Sequence, residues 1–292
     1  MEKIPIIVVV GPTASGKSEY ALRKARELGG EIISGDSMQI YRGMNIGTAK
    51  PTSEELCEIP HHLIDIADIT EPFSAARFVE LAGNAISDIT SRGKMPIIAG
   101  GTGLYIDTLV SGTSLSATED DPELRKELFE FAQANGALAL HARLAEIDPE
   151  SAEAIHPNNV KRVARALEIY YKTGETKTEA DRKSRTGESI YEPHTVYICP
   201  RERERIYERI DRRVDRMFEL GLTEEVESLY KKGLKETPTA SQAIGYKEFY
   251  PYFEGEIDLE TVKQNICLNT RHYAKRQLTW FNRKQADEII YI

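Results

Sequence analysis

The sequence predicts an α/β fold, a parallel sheet flanked by helices and interrupted by a helical insertion. Three observations carry that expectation. Short β-branched runs alternate with helix-spaced segments in the N-terminal third, an order that lays helices over both faces of a parallel sheet. A Gly-rich loop joins the first such run to the first such helix. Strand-like runs then stop between about residues 118 and 185 and return at 195–199.

Taken in order, Ile4–Val10 is apolar and β-branched and reads as a buried strand, and 31–34, 63–66, 96–99 and 195–199 read the same way. Segments 19–28 and 75–91 carry apolar residues at helical spacing. After Asp121-Pro122 the pattern changes. Segments 122–135, 137–144, 151–154 and 159–173 read as successive helices, separated by Asn-Gly, Asp-Pro and His-Pro breakers. The chain is therefore read as a core of 1–117 and 190–292 that leaves the sheet for a helical insertion, 118–189, and comes back. Beyond Pro200 it is helical, with Ile206, Ile210, Val214 and Met217 forming one apolar stripe. The last piece, 288–292, reads as a short strand.

Bulk properties narrow the function classes. A chain of 292 residues with 40% hydrophobic content can bury a full core. A net charge of −9 gives no whole-protein field for nucleic acid, so a polyanion must meet a local basic patch. Cys57, Cys199 and Cys267 lie at neither disulfide-framework nor zinc spacing and read as buried, reduced thiols. The longest apolar run is too short to span a bilayer and no cleavage site follows it, so a cytoplasmic protein without membrane contact is expected. No apolar seam is obvious, which favours a monomer.

Residues 11–18, Gly11-Pro12-Thr13-Ala14-Ser15-Gly16-Lys17-Ser18, match the P-loop pattern G-x-x-x-x-G-K-[ST] between a strand and a helix. In such a loop backbone N–H groups and the helix dipole cradle phosphate oxygens, Lys17 neutralises the far phosphate, and the Ser18 hydroxyl holds Mg2+. The chain is thus expected to be an enzyme binding a di- or triphosphate on a P-loop NTPase-like sheet. The loop alone does not name the reaction. Hydrolases of this class carry an acidic residue at a strand end to support magnesium, yet the strand at 96–99 runs into Gly100-Gly101-Thr102-Gly103. Asp36, just past the second strand, is the carboxylate nearest the sheet's carboxyl edge, where ligands bind in such folds. Two readings stay open for it, general base or magnesium supporter on one side and turn cap on the other. Thr102 likewise either donates to a substrate or closes its Gly-rich turn.

Four stretches then act together: GPTASGKS at 11–18, DSMQIYRG at 36–43, GGTGLY at 100–105 and IHPNNVKRVARALE at 155–168. GTAKP, HHLID, IGYKE and YAKRQLTWF follow the same order. The chain resembles the tRNA dimethylallyltransferase (tRNA isopentenyltransferase) family along nearly its whole length. The resemblance implies transfer of a dimethylallyl group from dimethylallyl diphosphate to N6 of the adenosine 3′ to the anticodon, with Mg2+ and release of diphosphate. It implies that the loop grips the donor's diphosphate, that Asp36 takes the amine proton, and that Thr102 and Lys17 serve the same centre. It further implies tRNA contacts at Asp36, Ser37, Met38, Gln39 and Thr102, with Arg125, Lys161, Arg162 and Arg165 on the insertion. Asn159 stands where the family more often has an acid. The chain also stops without the zinc-finger extension of eukaryotic relatives, which points to a bacterial-type enzyme. A P-loop kinase of a nucleoside or small metabolite is the competing reading.

Several residues keep bland alternatives. Arg209 and Arg213, four apart, either clamp the diphosphate or belong to a surface helix laced with Arg/Glu pairs. Residues 161–185 hold eight Lys or Arg against four acids, either a tRNA backbone patch or a solvated face. Residues 271–286 hold five cations and no acid, with Tyr273, Trp280 and Phe281 either supporting RNA or anchoring a last helix. His61 and His62, adjacent in an extended segment, point to opposite faces and read as structural.

Overall fold

β-branched residues dominate the central strand because both its faces are covered. In the computed structural model, which describes residues 3–113, 121–184 and 188–292, six strands among those residues form one sheet. They are β1 (Ile4–Val10), β2 (Glu31–Ser34), β3 (His61–His62), β4 (Pro96–Gly100), β5 (Tyr191–Cys199) and β6 (Glu288–Tyr291). The order is β3-β2-β4-β1-β5-β6 and every pairing is parallel. Val9, Ile32, Ile97 and Val196 pack on one face, with Ala21 and Ala25 of the first helix. Val8, Val10, Ile33 and Ile98 pack on the other. This is the α/β fold the alternation predicts, including the short C-terminal strand.

The chain separates into two units, 1–110 with 189–292, and 111–188. The expected boundary at 117/118 lies outside the described residues. In the first unit, α1 (Lys17–Leu28), α2 (Ser53–Glu58), α3 (Ala75–Ser91) and α4 (Gly103–Ser111) follow the first strands. The second holds α5 (Pro122–Asn135), α6 (Ala137–Ile147), α7 (Pro149–Ala154), α8 (Val160–Thr173) and α9 (Lys177–Ser184). The first unit resumes with α10 (Arg203–Glu219), α11 (Leu222–Lys231), α12 (Tyr250–Phe253) and α13 (Leu259–Phe281). The stripe Ile206, Ile210, Val214 and Met217 on α10 is buried, and this fixes which face of the helix its arginines occupy.

One strand expectation fails. Residues 63–66 do not continue β3, because Leu63 and Asp65 adopt positive φ of 62° and 55°. The segment turns to dock on 39–40 instead, with Asp65 and Ile66 N–H donating to the Gln39 and Ile40 carbonyls. The Asp65 carboxylate pairs with Lys50 at 2.5 Å. Cys57 is exposed, against expectation, because α2 buries none of its residues, whereas Cys199 is buried and Cys267 half-buried.

The histidines do structural work. His62 Nε2 lies 2.8 Å from Glu31 Oε2, a buried carboxylate that also binds Arg92 and Lys94. Arg92 first, then Lys94 and His62, hold Glu31 well below the usual carboxylate range although burial opposes them. His61 Nδ1 meets the Ile59 carbonyl at 2.7 Å.

Candidate active site

The loop at 11–18 is shaped by close approach. A Cβ at Gly11 would collide with the Ile198 carbonyl oxygen of β5, so only glycine lets the chain leave β1 in this direction. Ala14 takes a left-handed φ of 61°, a strained setting for an L-residue. Arg209 Nε donates to its carbonyl at 2.6 Å and Arg213 Nη1 donates to Thr13 Oγ1 at 3.1 Å. The four-residue spacing on α10 thus delivers both guanidiniums to the loop, and the surface-helix alternative fails for this pair. Lys17 Nζ donates to the Pro12 carbonyl at 2.6 Å. Gly16, at φ 88°, opens α1, and Ser18 stands exposed in its first turn.

Ser15 is buried, yet its hydroxyl has no protein partner. A cavity of about 720 Å³ fronts the loop, lined by Lys17, Arg205, Arg209, Arg212 and Arg213 against Glu19, Glu55 and Glu208. A chain of net charge −9 has therefore gathered a cationic surplus at one loop, which focuses anions there.

Asp36 and Thr102 arrive from the carboxyl ends of β2 and β4. Their loops touch because a Cβ at Gly100 would strike the Gly35 backbone, which explains glycine at that strand end. Thr102 N–H donates to the Gly35 carbonyl at 3.2 Å and its Oγ1 accepts from Ser37 N–H at 3.1 Å. Asp36 Oδ1 accepts from Met38 and Gln39 N–H at 2.8 and 3.4 Å. The turn-cap reading of Asp36 is therefore realised, but both bonds use Oδ1. Capping leaves Oδ2 for a second role. Gln39 points away, donating to the Thr48 and Ala49 carbonyls.

A second cavity, about 240 Å³, joins these parts. Thr13, Asp36, Ser37, Met38 and Arg213 line it together with the apolar Val214, Met217, Ala243 and Ile266 and with Tyr273. Burial, then the Arg213 charge, pull the Lys17 ammonium down to about 7, with Asp36 opposing. Burial likewise lowers Arg213, again against Asp36. Burial and then the Asp36 charge push the Tyr273 phenol up to about 12, so it stays a neutral donor beside the carboxylate.

Two residues here escaped the sequence reading. Gln277 accepts from Thr13 N–H at 2.7 Å and donates to the Gly101 carbonyl at 2.9 Å, bracketing the two loops from α13. Its signal was available: four residues after Tyr273, it shares that helix face. Glu225 had none. It accepts from the N–H groups of Asn45, Ile46 and Gly47 at 2.9–3.2 Å and from the Tyr246 hydroxyl at 2.6 Å.

The cations assigned to RNA separate into two groups. Lys161 and Arg162 are exposed in the first turn of α8, capped by Asn159. Arg125 and Arg165 instead bind the buried Glu168, at 2.9 and 2.8 Å. Burial would raise that carboxyl, but Arg165, the Asp121 amide and Arg125 hold it below the usual range. Downstream, Lys177, Arg182 and Lys183 pair with Asp181, Glu150 and Glu175, and Arg185 lies outside the described residues. In the last helix, Phe281 is core and Trp280 Nε1 donates to Asp107 at 2.9 Å. Arg276 alone of that stretch's cations lines the smaller cavity.

With this geometry in hand, comparison with known proteins is direct. Residues 39–284 match the family described as IPP transferase, a match that begins just after the loop and Asp36. The tRNA dimethylallyltransferase of Bacillus pumilus is 49% identical over 283 residues, covering 97% of this chain and 88% of the relative. That of Bacillus subtilis is 47% identical over 282 residues, covering 97% and 89%. The crystal structure of tRNA isopentenylpyrophosphate transferase from Bacillus halodurans is similar at a TM-score of 0.71 and 45% identity, covering 99% of this chain and 90% of that one. A eukaryotic dimethylallyltransferase acting on tRNA is similar at 0.77 and 32%, covering 94% and 69%. Family match, identity and fold agree along almost the whole chain, which belongs to the IPP transferase family as a tRNA dimethylallyltransferase of bacterial type.

Proposed function

We propose that the chain transfers a dimethylallyl group from dimethylallyl diphosphate to N6 of adenosine 37 of tRNA, next to the anticodon, and releases diphosphate. One observation carries this reading: Thr13 of the phosphate-type loop, Arg213, the Asp36 carboxylate and an apolar lining share one cavity. A kinase would need room for a nucleoside triphosphate and a hydroxyl acceptor. The family to which the chain belongs is named for prenyl transfer, so that alternative is set aside.

The loop residues Gly11, Pro12, Thr13, Ala14, Ser15, Gly16, Lys17 and Ser18 hold the donor's diphosphate, with Arg209 and Arg213 closing over it. The buried, partnerless Ser15 hydroxyl fits an acceptor oxygen arriving from that diphosphate. In the reaction the adenine N6 lone pair forms a bond to the allylic C1 as the C1–O bond breaks. Its electron pair leaves with the diphosphate, and the amine proton passes to Asp36. The loop amides, Lys17 and the two arginines stabilise charge growing on the leaving group, where preorganised donors count most. Thr102 fixes the Asp36 turn through Ser37 and faces the adenosine with Ser37 and Met38.

Magnesium belongs to this proposal through Ser18. Among the described residues no three His, Cys, Asp or Glu side chains form a metal cage. The exposed Ser18 hydroxyl in the first turn of α1 would leave the rest of the ion's shell to water and diphosphate oxygens, the usual arrangement for Mg2+. When bound, it neutralises diphosphate charge. Lys161 and Arg162 hold the tRNA backbone, and the anticodon-side adenosine leaves its stack to reach the cavity. No helix among the described residues is long and apolar enough to cross a membrane, and a tRNA substrate supports the cytoplasm as the compartment in this reading.

The test is transfer of label from radiolabelled dimethylallyl diphosphate to a tRNA with adenosine 37, comparing wild type with Asp36→Ala. Labelled RNA with wild type, and a loss of about 10²–10⁴-fold in rate with retained donor binding in the variant, is the expected result. ATP consumption with a small acceptor and no label on RNA would overturn the reading.

A further inference from the structure

Met217 borders two cavities. On one side lies the chamber of about 240 Å³ that holds Asp36 and Arg213. On the other lies a cavity of about 680 Å³ whose apolar lining comes from Ile46, Ala49, Pro51, Leu56 and Leu220. Arg213 touches both as well, but its guanidinium is tied to Thr13 at the phosphate end. The rest of the partition is the segment 45–49. Gly47 and Thr48 face the smaller chamber while Asn45, Ile46 and Ala49 face the larger.

The two halves of this wall differ in stiffness. The backbone half is pinned, since Glu225 accepts three consecutive N–H groups from it and Tyr246 fills the space a Gly47 Cβ would take. The helix half is a single buried, unbranched thioether, the most adaptable of apolar side chains. Removing it takes away three heavy atoms without touching the pinned segment.

The lining decides what the wall does. The chamber's apolar side is formed by Val214, Met217, Ala243 and Ile266, and of these Met217 also borders the larger cavity. An allylic tail laid on this side meets Met217 where it would pass into the space beyond, so chain length is read there.

We propose that Met217 sets the donor's chain length, closing the tail chamber behind a five-carbon allylic group and keeping longer allylic diphosphates from entering the apolar cavity beyond. This rests on the prenyl-transfer reading of the same site. With a longer donor the bond changes are those of the shorter one: N6 joins C1, the C1–O pair leaves with diphosphate, and the proton goes to Asp36.

The experiment compares wild type, Met217→Ala and Leu220→Ala with dimethylallyl and geranyl diphosphates on one tRNA, reading the modified nucleoside by mass spectrometry. Leu220 lines only the larger cavity. Met217→Ala is expected to raise the geranyl-to-dimethylallyl ratio of kcat/KM at least tenfold, with Leu220→Ala leaving it unchanged. An unchanged ratio in Met217→Ala, or an equal rise in Leu220→Ala, overturns the proposal. Should Met217→Ala fail to fold by thermal unfolding, Met217→Val must show a smaller rise in the same ratio or the idea is rejected. If wild type moves no dimethylallyl group at all, the functional reading falls, and this role for Met217 falls with it.

Discussion

In the proposed reaction Lys17 is both a phosphate partner and a titrating group. Buried beside Arg213, it sits near a pKa of about 7, so around neutrality much of it is uncharged in the free protein. A diphosphate favours the ammonium. Donor binding should therefore take up a proton at Lys17, and donor affinity should weaken as pH rises above about 7, by up to tenfold per unit until the pKa of the complex is reached. Calorimetry in two buffers of different ionisation heat measures the uptake. Lys17→Met should remove whatever exceeds the donor's own protonation, and an unchanged uptake would exclude Lys17 as its source. Arg213 makes a related prediction. Arg213→Lys keeps a charge but not the planar fork that reaches Thr13, and we expect donor KM to rise about tenfold, checked by steady-state kinetics.

At the scale of elements, the site depends on loops held together by helices distant in sequence. Gln277 on α13 satisfies Thr13 N–H and the Gly101 carbonyl at once, 264 and 176 residues away. Gln277→Leu leaves both groups unpaired and should cost about 2–4 kcal/mol, measured by urea unfolding. Because the phosphate loop and the Thr102 loop lose their common anchor, kcat should fall more than KM rises. A fall in stability with unchanged kcat would show that the bracket supports the fold alone. The element boundaries themselves were largely legible. Period and breakers located α3 and α5, and the apolar stripe read on α10 is the face that is buried. Residues 63–66 were not legible, since an apolar β-branched run says nothing about the positive φ that its docking on 39–40 imposes.

The whole molecule must bind a polyanion while carrying a net charge of −9. The two groups of cations on the helical unit separate by experiment. Lys161→Ala with Arg162→Ala should weaken tRNA binding and flatten its salt dependence by roughly one unit of slope per lost phosphate contact, with little change in stability. Arg125→Ala or Arg165→Ala should destabilise the helical unit by about 2–4 kcal/mol, because each uncovers part of the buried Glu168 charge. Equal salt slopes in all variants would contradict this division. Acid stability follows from the same carboxylates. Glu31 and Glu168 are held below their unfolded values, so their contribution is complete above about pH 4.3 and is lost as the pH falls through their folded values. Glu31→Gln should therefore flatten the stability profile between about pH 2 and 4, as denaturant melts at successive pH values would show.

By itself the sequence determined the α/β class, the phosphate-type loop, the family and the identity of Asp36 and Thr102 as residues of interest. These are local properties: period, glycine placement and motif order survive without knowledge of contacts. Only the tertiary structure decided that Arg209 and Arg213 reach the loop, that Arg125 and Arg165 answer to Glu168, that Gln277 and Glu225 hold the walls, and that Met217 stands between two cavities. Apart from the Arg165–Glu168 pair, three residues apart on α8, each of those depends on groups tens to hundreds of residues apart meeting in the fold. A charge or a methionine carries no mark in the sequence of which partner it will find, because burial and approach are settled by packing.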